Sequence, residues 1–561
     1  MSPHALKDDY RTGSQSSESS TCPVPDDYKN GTGHNATSAL ERYPDEEVHD
    51  VVCVGFGPAS LAIAVALSDA LEEHKPSLST SKPKIRFLER QSGFAWHAGM
   101  LLSGAKMQIT FIKDMATLRN PRSRFTFLNY LHQNDRLVAF TNLGTFLPQR
   151  IEYEDYMRWC AGHFEDVVDY SQDVQKVEVG ELDEQGDVSY WNIESYDWSA
   201  RRTSTKKAKN VVIAAGGKPS IPACLQADHP RMLHSSQYAT RIGEVFPAGT
   251  SPKSVAIIGA GQSAAEIFHN IPSRFPEAKS YLIIKGAALR PSDDSPFVNE
   301  VFDPDRVDDV YSQEPQTRAD GITLDKGTNY GVVRLELLEE IYSSMYLQRI
   351  QHGREEDWPH RILSHREVKG MKDISSKKGP AIQLDIEDHS GDYRAQKQSR
   401  SETLDVDLVI VASGYRRDAH EDMLRDVRHL MPHGGADGER WSVARDYGVS
   451  FKKGAVAPSA GLWLQGCNEN THGLSDTLLS ILAVRGGEMV QSLFGSGKSV
   501  ELKCHQPPNA TAYSNGKREV SVGSDEETHS PSSLSPVKSA DSPSAMALRP
   551  SPKNGVASLL P

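Results

Sequence analysis

Cysteine is scarce in this sequence. There are six in 561 residues (Cys22, Cys53, Cys160, Cys224, Cys467 and Cys504), and no two form a C-x-x-C pair. That excludes the usual spacing of a structural zinc site or a dithiol redox centre, so no metal is expected. Scattered single cysteines suit a reducing compartment. No apolar run reaches the about 18 residues that span a bilayer. The start, MSPHALKDDYRTGSQSSESS, has no apolar segment of the kind a secretory signal carries, so a cytoplasmic protein is expected. Positive charge is not in excess either: the net charge of −13 argues against nucleic acid or an anionic membrane as the main partner. Apolar residues are sparse at both ends. Residues 1–46 and 498–561 are rich in Ser, Thr, Asp and Gly, and the second stretch carries Ser-Pro pairs at Ser530, Ser535, Ser542 and Ser551. Both read as disordered tails.

Between the tails, short β-branched runs alternate with helical stretches, the pattern of an α/β fold. Candidate strands are DVVCVGFG (50–57), KIRFLER (84–90), NVVIAAGG (210–217), SVAIIGAG (254–261), SYLIIK (280–285) and DLVIVASG (407–414). Four of the six end at glycine, where a strand must turn sharply. Two of those turns have the features of dinucleotide sites. In the first, Gly55 permits the tight turn, and Gly57 lets the backbone approach a pyrophosphate at a helix N-terminus. Ser60 stands where a third small residue is needed, and Glu89 ends the next strand, positioned for a ribose hydroxyl. In the second, Gly259, Gly261 and Ala264 hold the three positions. The next strand ends in Lys285, a cation suited to a 2′-phosphate, which favours NADPH over NADH. An acid-strand-glycine run at 405–414 completes the pattern of flavoproteins with two dinucleotide domains. FAD in the first site and NADPH in the second are therefore expected. The expected fold is two Rossmann-like domains: FAD-binding residues 47–250 and 404–497, interrupted by an NADPH-binding domain at 251–403 whose helical segments help form a substrate site.

Longer stretches carry a more specific signal. FLERQSGFAWHAGM (87–100), KMQITFIKDMATLRNPRSRFTFLNYLH (106–132), LRPSDDSPFVNEVF (289–302), TNYGVVRLELLEEIY (328–342) and LQGCNENTHGLSDTLLSILAVRGGEMVQS (464–492) resemble the N-hydroxylating flavin monooxygenases, and among them the fungal L-ornithine N5-monooxygenases of siderophore synthesis. The resemblance covers roughly residues 47–495. It implies FAD- and NADPH-dependent hydroxylation of L-ornithine to N5-hydroxy-L-ornithine through a C4a-hydroperoxyflavin, and often a tetramer. It assigns substrate contacts to Lys113, Asn299, Asn329 and Ser475. FAD contacts fall to Glu89, Arg90, Trp96, His97, Met107, Gln108, Val174, His472, Gly473 and Leu474. NADP contacts fall to Arg150, Gln262, Ser263, Lys285 and Asn329. Close relatives usually have arginine where this chain has Lys285, and lysine keeps the charge but loses the bidentate geometry. Alternatives to the leading function are L-lysine N6-hydroxylation, whose substrate is one methylene longer, and a flavin NADPH oxidase or a non-catalytic FAD- and NADP-binding protein.

The stretch MQITFIKD (107–114) poses a separate question. If it is extended, Lys113 shares the parity of Met107, Ile109 and Phe111 and lands on the apolar face. Otherwise the strand ends at Ile112, and Lys113-Asp114 is a solvated turn. Lys106 is a rival to Lys113 for the substrate carboxylate. Asp293 and Asp294, in P-S-D-D-S-P, read as turn formers, and Ser475 could instead cap the helix begun by LLSILAV.

Overall fold

The computed structural model describes residues 38–74, 82–374, 381–393, 400–436 and 438–495. The tails expected to be disordered lie outside these residues, except for 38–46. That short piece packs on the body: Leu40 is buried in the first core, and Arg42 pairs with Asp169 at 2.9 Å. The folded body therefore begins before the expected boundary at 47.

All six candidate strands are present, divided between two sheets. In the first, Val48–Val54 runs parallel to Ile85–Leu88 on one side and Arg202–Ile213 on the other. The helix Pro58–Glu72 makes the crossover between the first two strands. Val51, Val52 and Cys53 are fully buried, as an unbroken apolar run requires when a parallel sheet is covered on both faces. Arg202–Ile213 is long enough to serve two further neighbours along its other edge. Its first half pairs antiparallel with Val188–Asp197, and its last residues pair parallel with Gly461–Leu464.

The second sheet is all parallel, in the order His360–Leu363, Lys279–Ile283, Ser254–Ile258, Leu408–Val411, Met232–His234. A three-stranded antiparallel sheet, Arg366–Asp373, Ile382–Asp388 and Arg400–Val406, lays Val368, Met371, Leu384 and Ile386 against it. Sheet membership shifts both expected seams. Met232–His234 and Leu408–Val411 were assigned to the FAD portion, yet they pair with each other and Leu408–Val411 with Ser254–Ile258. The chain thus enters the second sheet before residue 250 and leaves it after 403. Short apolar strands carry no label for the sheet they join, and these two needed their partners to be placed.

MQITFIKD is neither a strand nor a strand ending in a solvated turn. It is an irregular loop. Its apolar parity comes from an aromatic cluster: Phe111 stacks on Phe127 and Phe146, with ring centroids 5.7 and 5.6 Å away. Asp114 is buried. One carboxylate oxygen takes the Ala116 and Thr117 N–H groups at 2.9 and 2.6 Å. The other takes the Thr117 hydroxyl and the Phe127 N–H, both at 2.7 Å. These bonds, and Tyr153 Oη donating to the Lys113 carbonyl at 2.9 Å, fix the loop that presents the Lys113 side chain.

Candidate active site

At the first glycine turn, Gly55 has φ +91°, and a Cβ there would lie 2.5 Å from the Ala214 carbonyl oxygen. Only glycine fits. Gly57 faces open space and begins the helix Pro58–Glu72 with no side-chain cap, leaving the first N–H groups of the helix bare. Glu89 follows Ile85–Leu88 directly. Its carboxylate accepts the Phe56 N–H at 2.7 Å and the Gln91 N–H at 2.9 Å, so the acid sits against the turn. Ser60 is buried, and its hydroxyl has no partner.

One residue that sequence reasoning missed stands at the same edge. Gln465 follows Gly461–Leu464, level with Gly55 and Ala214 on adjacent parallel strands. It is 3% exposed, and neither atom of its side-chain amide has a partner. A buried amide is costly to leave unpaired. An open glycine cradle, an uncapped helix start, an acid beside the turn and an unmet amide are what a large polar ligand such as FAD would satisfy, so the residues present fit that cofactor.

The other expected FAD residues divide. Met107 and Val174 are buried, Gln108 and Arg90 are exposed, and Trp96 is half-buried with its ring edge against His97 and Tyr153. His97 is exposed, yet desolvation by the protein packed around its ring, helped by Arg150 and Arg417, holds its pKa down to about 4. His472 is buried on Tyr447, with ring centroids 4.5 Å apart, and burial also lowers its pKa. Both its ring nitrogens are engaged: Nε2 lies 3.1 Å from the Arg445 carbonyl oxygen and Nδ1 2.8 Å from Thr471 Oγ1. Gly473 (φ +85°) turns the chain so that Leu474 and Ser475 are buried beside it. Ser475 does not cap the following long helix, Leu482–Phe494, which is preceded by Ile481.

At the second turn, Gly259 (φ +142°) would place a Cβ 2.4 Å from the Ala412 carbonyl oxygen. Gly261 begins Gln262–Arg274 uncapped, and its Cβ position is 3.5 Å from the Cα of Gly331. The backbone just after Asn329 therefore crosses close to this turn. Ser263 is half-buried next to it, and Ala264 is fully buried. Gln262 donates to Glu266 at 2.8 Å and accepts the Arg334 N–H at 2.9 Å. Arg150 is paired two-fold with Glu266, at 2.8 and 2.7 Å, and donates to the Met100 carbonyl at 2.8 Å. The resemblance gives Arg150 an NADP contact; here Glu266, 116 residues on and not singled out by any motif, holds it. Lys285 is 79% exposed and lies 2.8 Å from Glu367, whose pKa is held down to about 2 by Lys285 and Lys369. Among the described residues, Glu367, Glu387 and His389 are close enough to hold a metal. The first two face the ammonium groups of Lys285 and Lys369, which makes the cluster an ion-pair network.

The four expected substrate residues come from segments that the fold ties together. Lys113 Nζ lies 3.5 Å from Asp303, which follows the turn bearing Asn299. Ser480 Oγ donates to the Phe302 carbonyl at 2.9 Å, joining that turn to the Ser475 segment. Tyr330, next to Asn329 at the end of Pro315–Asn329, reaches Glu469 at 2.6 Å and Thr477 at 3.4 Å. Asn299 is exposed and donates to the Asp294 carbonyl at 3.0 Å; Asn329 is half-buried. Asp293 accepts the Ser295 N–H at 2.9 Å, a turn former as expected. Lys106 is exposed and borders a groove of about 700 Å³ that touches only Gln262 among the expected site residues.

Beneath the Ser475 segment lies a second feature the motifs did not reveal. Asp476 is fully buried. Arg485 Nη1 donates to its carboxylate at 3.0 Å and to its carbonyl at 2.6 Å, and the Asn468 N–H reaches its other oxygen at 2.7 Å.

Known proteins are similar to this chain in sequence and fold. Residues 47–417 match the family described as L-lysine 6-monooxygenase/L-ornithine 5-monooxygenase. The L-ornithine N(5)-monooxygenase of Cochliobolus heterostrophus is 55% identical over 470 residues, covering 82% of this chain and 88% of that protein. Among solved structures, the ornithine hydroxylase PvdA from Pseudomonas aeruginosa superposes with a TM-score of 0.69 at 34% identity, over 80% of this chain and 99% of that one. The Kutzneria ornithine N-hydroxylase KtzI, with reduced FAD, NADP⁺ and L-ornithine, gives 0.69 at 33% identity over 80% and 99%.

Proposed function

The chain belongs to the L-lysine 6-monooxygenase/L-ornithine 5-monooxygenase family, and from that premise we propose how its residues carry out the FAD- and NADPH-dependent N5-hydroxylation of L-ornithine. Bound FAD, reduced by NADPH, would supply the activation of O₂, of which the amine nitrogen takes one atom and water the other. The protein binds, orients and excludes water. Glu89 and the bare helix start after Gly57 hold the FAD ribose and pyrophosphate. The amide of Gln465 completes that cradle. The helix start after Gly261, with Gln262 and Ser263, takes the NADPH pyrophosphate. Lys285 faces the 2′-phosphate, and Arg150 braces that site through Glu266.

Lys113 pairs with the ornithine α-carboxylate, assisted by Asn299. Asn329 and Ser475 contact the side chain near its reacting nitrogen. That nitrogen has to be neutral, against a reference pKa of about 10.4 for a lysine-like amine. Amide and hydroxyl partners stabilise its charged form far less than a carboxylate would. The observation that carries this reading is the joining of the Lys113, Asn299, Asn329 and Ser475 segments through Asp303, Ser480 and Tyr330. The product is the hydroxylamine unit of hydroxamate siderophores.

No described helix is long and apolar enough to cross a membrane, and a cytoplasmic location is the reading that fits the sequence. Assembly as a homotetramer is part of the same proposal. The exposed apolar side chains Tyr342, Tyr346, Leu347 and Ile350 of Leu335–His352 offer surface for it.

The test is to reduce the enzyme anaerobically with NADPH, admit O₂ with ornithine or lysine, and assay hydroxylamine against hydrogen peroxide. Hydroxylamine from ornithine is expected. Peroxide alone with both amino acids sinks the reading. Hydroxylamine chiefly from lysine selects the longer substrate, a discrimination worth about 1–3 kcal/mol. Lys285→Ala gives a second expected outcome: in stopped-flow reduction the preference for NADPH over NADH should collapse, mainly through weaker NADPH binding. An unchanged preference removes Lys285 from the phosphate site.

A further inference from the structure

We infer that Asp303 is a substrate-binding residue that recognises the α-ammonium group of ornithine, so that Lys113 and Asp303 together form a zwitterion clamp. This rests on the placement of Lys113 at the α-carboxylate. An α-amino acid presents a carboxylate and an ammonium on one carbon. A site selective for it needs a cation and an anion close together, each able to exchange its partner for the substrate's. Lys113 and Asp303 are such a pair. Their charged atoms are 3.5 Å apart, beyond a tight hydrogen bond, and the side chains are 20% and 43% exposed. Neither is locked in by a stronger partner: the 3.5 Å contact is the one salt bridge recorded for each among the described residues. Contrast Asp114, the next residue after Lys113, whose carboxylate already accepts four hydrogen bonds and has no capacity left for a ligand.

Asp303 is also held at the right place. It ends the turn Glu300–Phe302 that follows Asn299, and its neighbour Phe302 is tied to Ser480. The anion therefore lies at the Lys113 end of the substrate site. The reacting nitrogen, which has to be neutral, needs no carboxylate beside it. A diamine or an ω-amino acid carries only half of the zwitterion and leaves one member of the clamp unpaired, so the pair sets selectivity for an α-amino acid.

The experiment uses the FAD-loaded full chain with ornithine as substrate and 5-aminopentanoate, which keeps the carboxylate but lacks the α-ammonium, as competitive inhibitor. Asp303→Asn should raise the ornithine KM roughly tenfold or more, the loss of one charged hydrogen bond. It should leave the 5-aminopentanoate inhibition constant and the rate of flavin reduction by NADPH unchanged. Equal weakening of both ligands would mean that Asp303 only positions Lys113, and overturns the proposal. So does an unchanged or lower ornithine KM, the latter marking Asp303 as a competitor for Lys113. Lys113→Ala, run in parallel, should weaken both ligands. If it weakens neither, the underlying placement of Lys113 has failed, an outcome distinct from failure at Asp303 alone.

Discussion

Lys113→Ala raises the ornithine KM by roughly 30- to 150-fold, the loss of a charged hydrogen bond of about 2–3 kcal/mol, while flavin reduction by NADPH stays near the wild-type rate. The size follows from what the lysine does. It is the cation that reaches the Asn299 turn from a loop fixed by Asp114 and Tyr153. Its removal deletes the partner of the substrate carboxylate without disturbing that loop. Stability should change little, because Asp303 is 43% exposed and water can take over its hydration. Reduction should be spared because neither glycine turn contacts the Lys113 side chain among the recorded hydrogen bonds. Stopped-flow reduction and steady-state hydroxylamine formation separate the two effects. A fall in the reduction rate that parallels the rise in KM would assign the residue to the cofactor or the fold.

Arg485→Ala is expected to cost about 3–5 kcal/mol of stability, because it leaves the fully buried Asp476 carboxylate without its cation. Asp476 does not stand alone. It anchors the Asn468 N–H, and residues 468–476 carry His472, Gly473, Leu474 and Ser475. Loss of the pair should loosen that segment, so the ornithine KM should rise along with the fall in stability. Arg485→Lys should recover part of the stability, since an ammonium keeps the charge but not the geometry that reaches both the carboxylate and the carbonyl. Urea unfolding of the FAD-loaded protein is the measurement. A loss below about 1 kcal/mol would show that water reaches Asp476, and the pair would then be an ordinary surface bridge.

How far the sequence alone carries can be read from particular residues. The six glycine-punctuated or apolar strands were legible because burial on both faces demands an unbroken apolar run, and Gly55 and Gly259 because no other residue fits against a neighbouring carbonyl. The antiparallel strands Gln172–Leu182 and Val188–Asp197 were not legible. Their outward faces are polar, so no apolar run marks them. MQITFIKD misled for the opposite reason: its alternation serves an aromatic cluster and not a pleat. Glu266, Asp303, Gln465 and Arg485 gave no local signal. Glu266 and Asp303 acquire meaning from Arg150 and Lys113, each more than 100 residues away. Gln465 acquires it from a strand edge built by Ala214 and Gly55, and Arg485 from a carboxylate that the surrounding core has dehydrated.

The strand Gly461–Leu464 sets an order of events during synthesis. The second sheet has all its strands once residue 411 has left the ribosome, whereas the first, begun at residue 48, lacks a member until residue 464 emerges. The helix Leu482–Phe494 comes later still. It packs so closely on Pro58–Glu72 that a Cβ at Gly486 would lie 2.5 Å from the Ala62 carbonyl oxygen. Vectorial folding usually completes the N-terminal unit first. In this chain the earliest-made sheet is the last to close, and the nascent protein carries an unfinished flavin cradle through most of its translation.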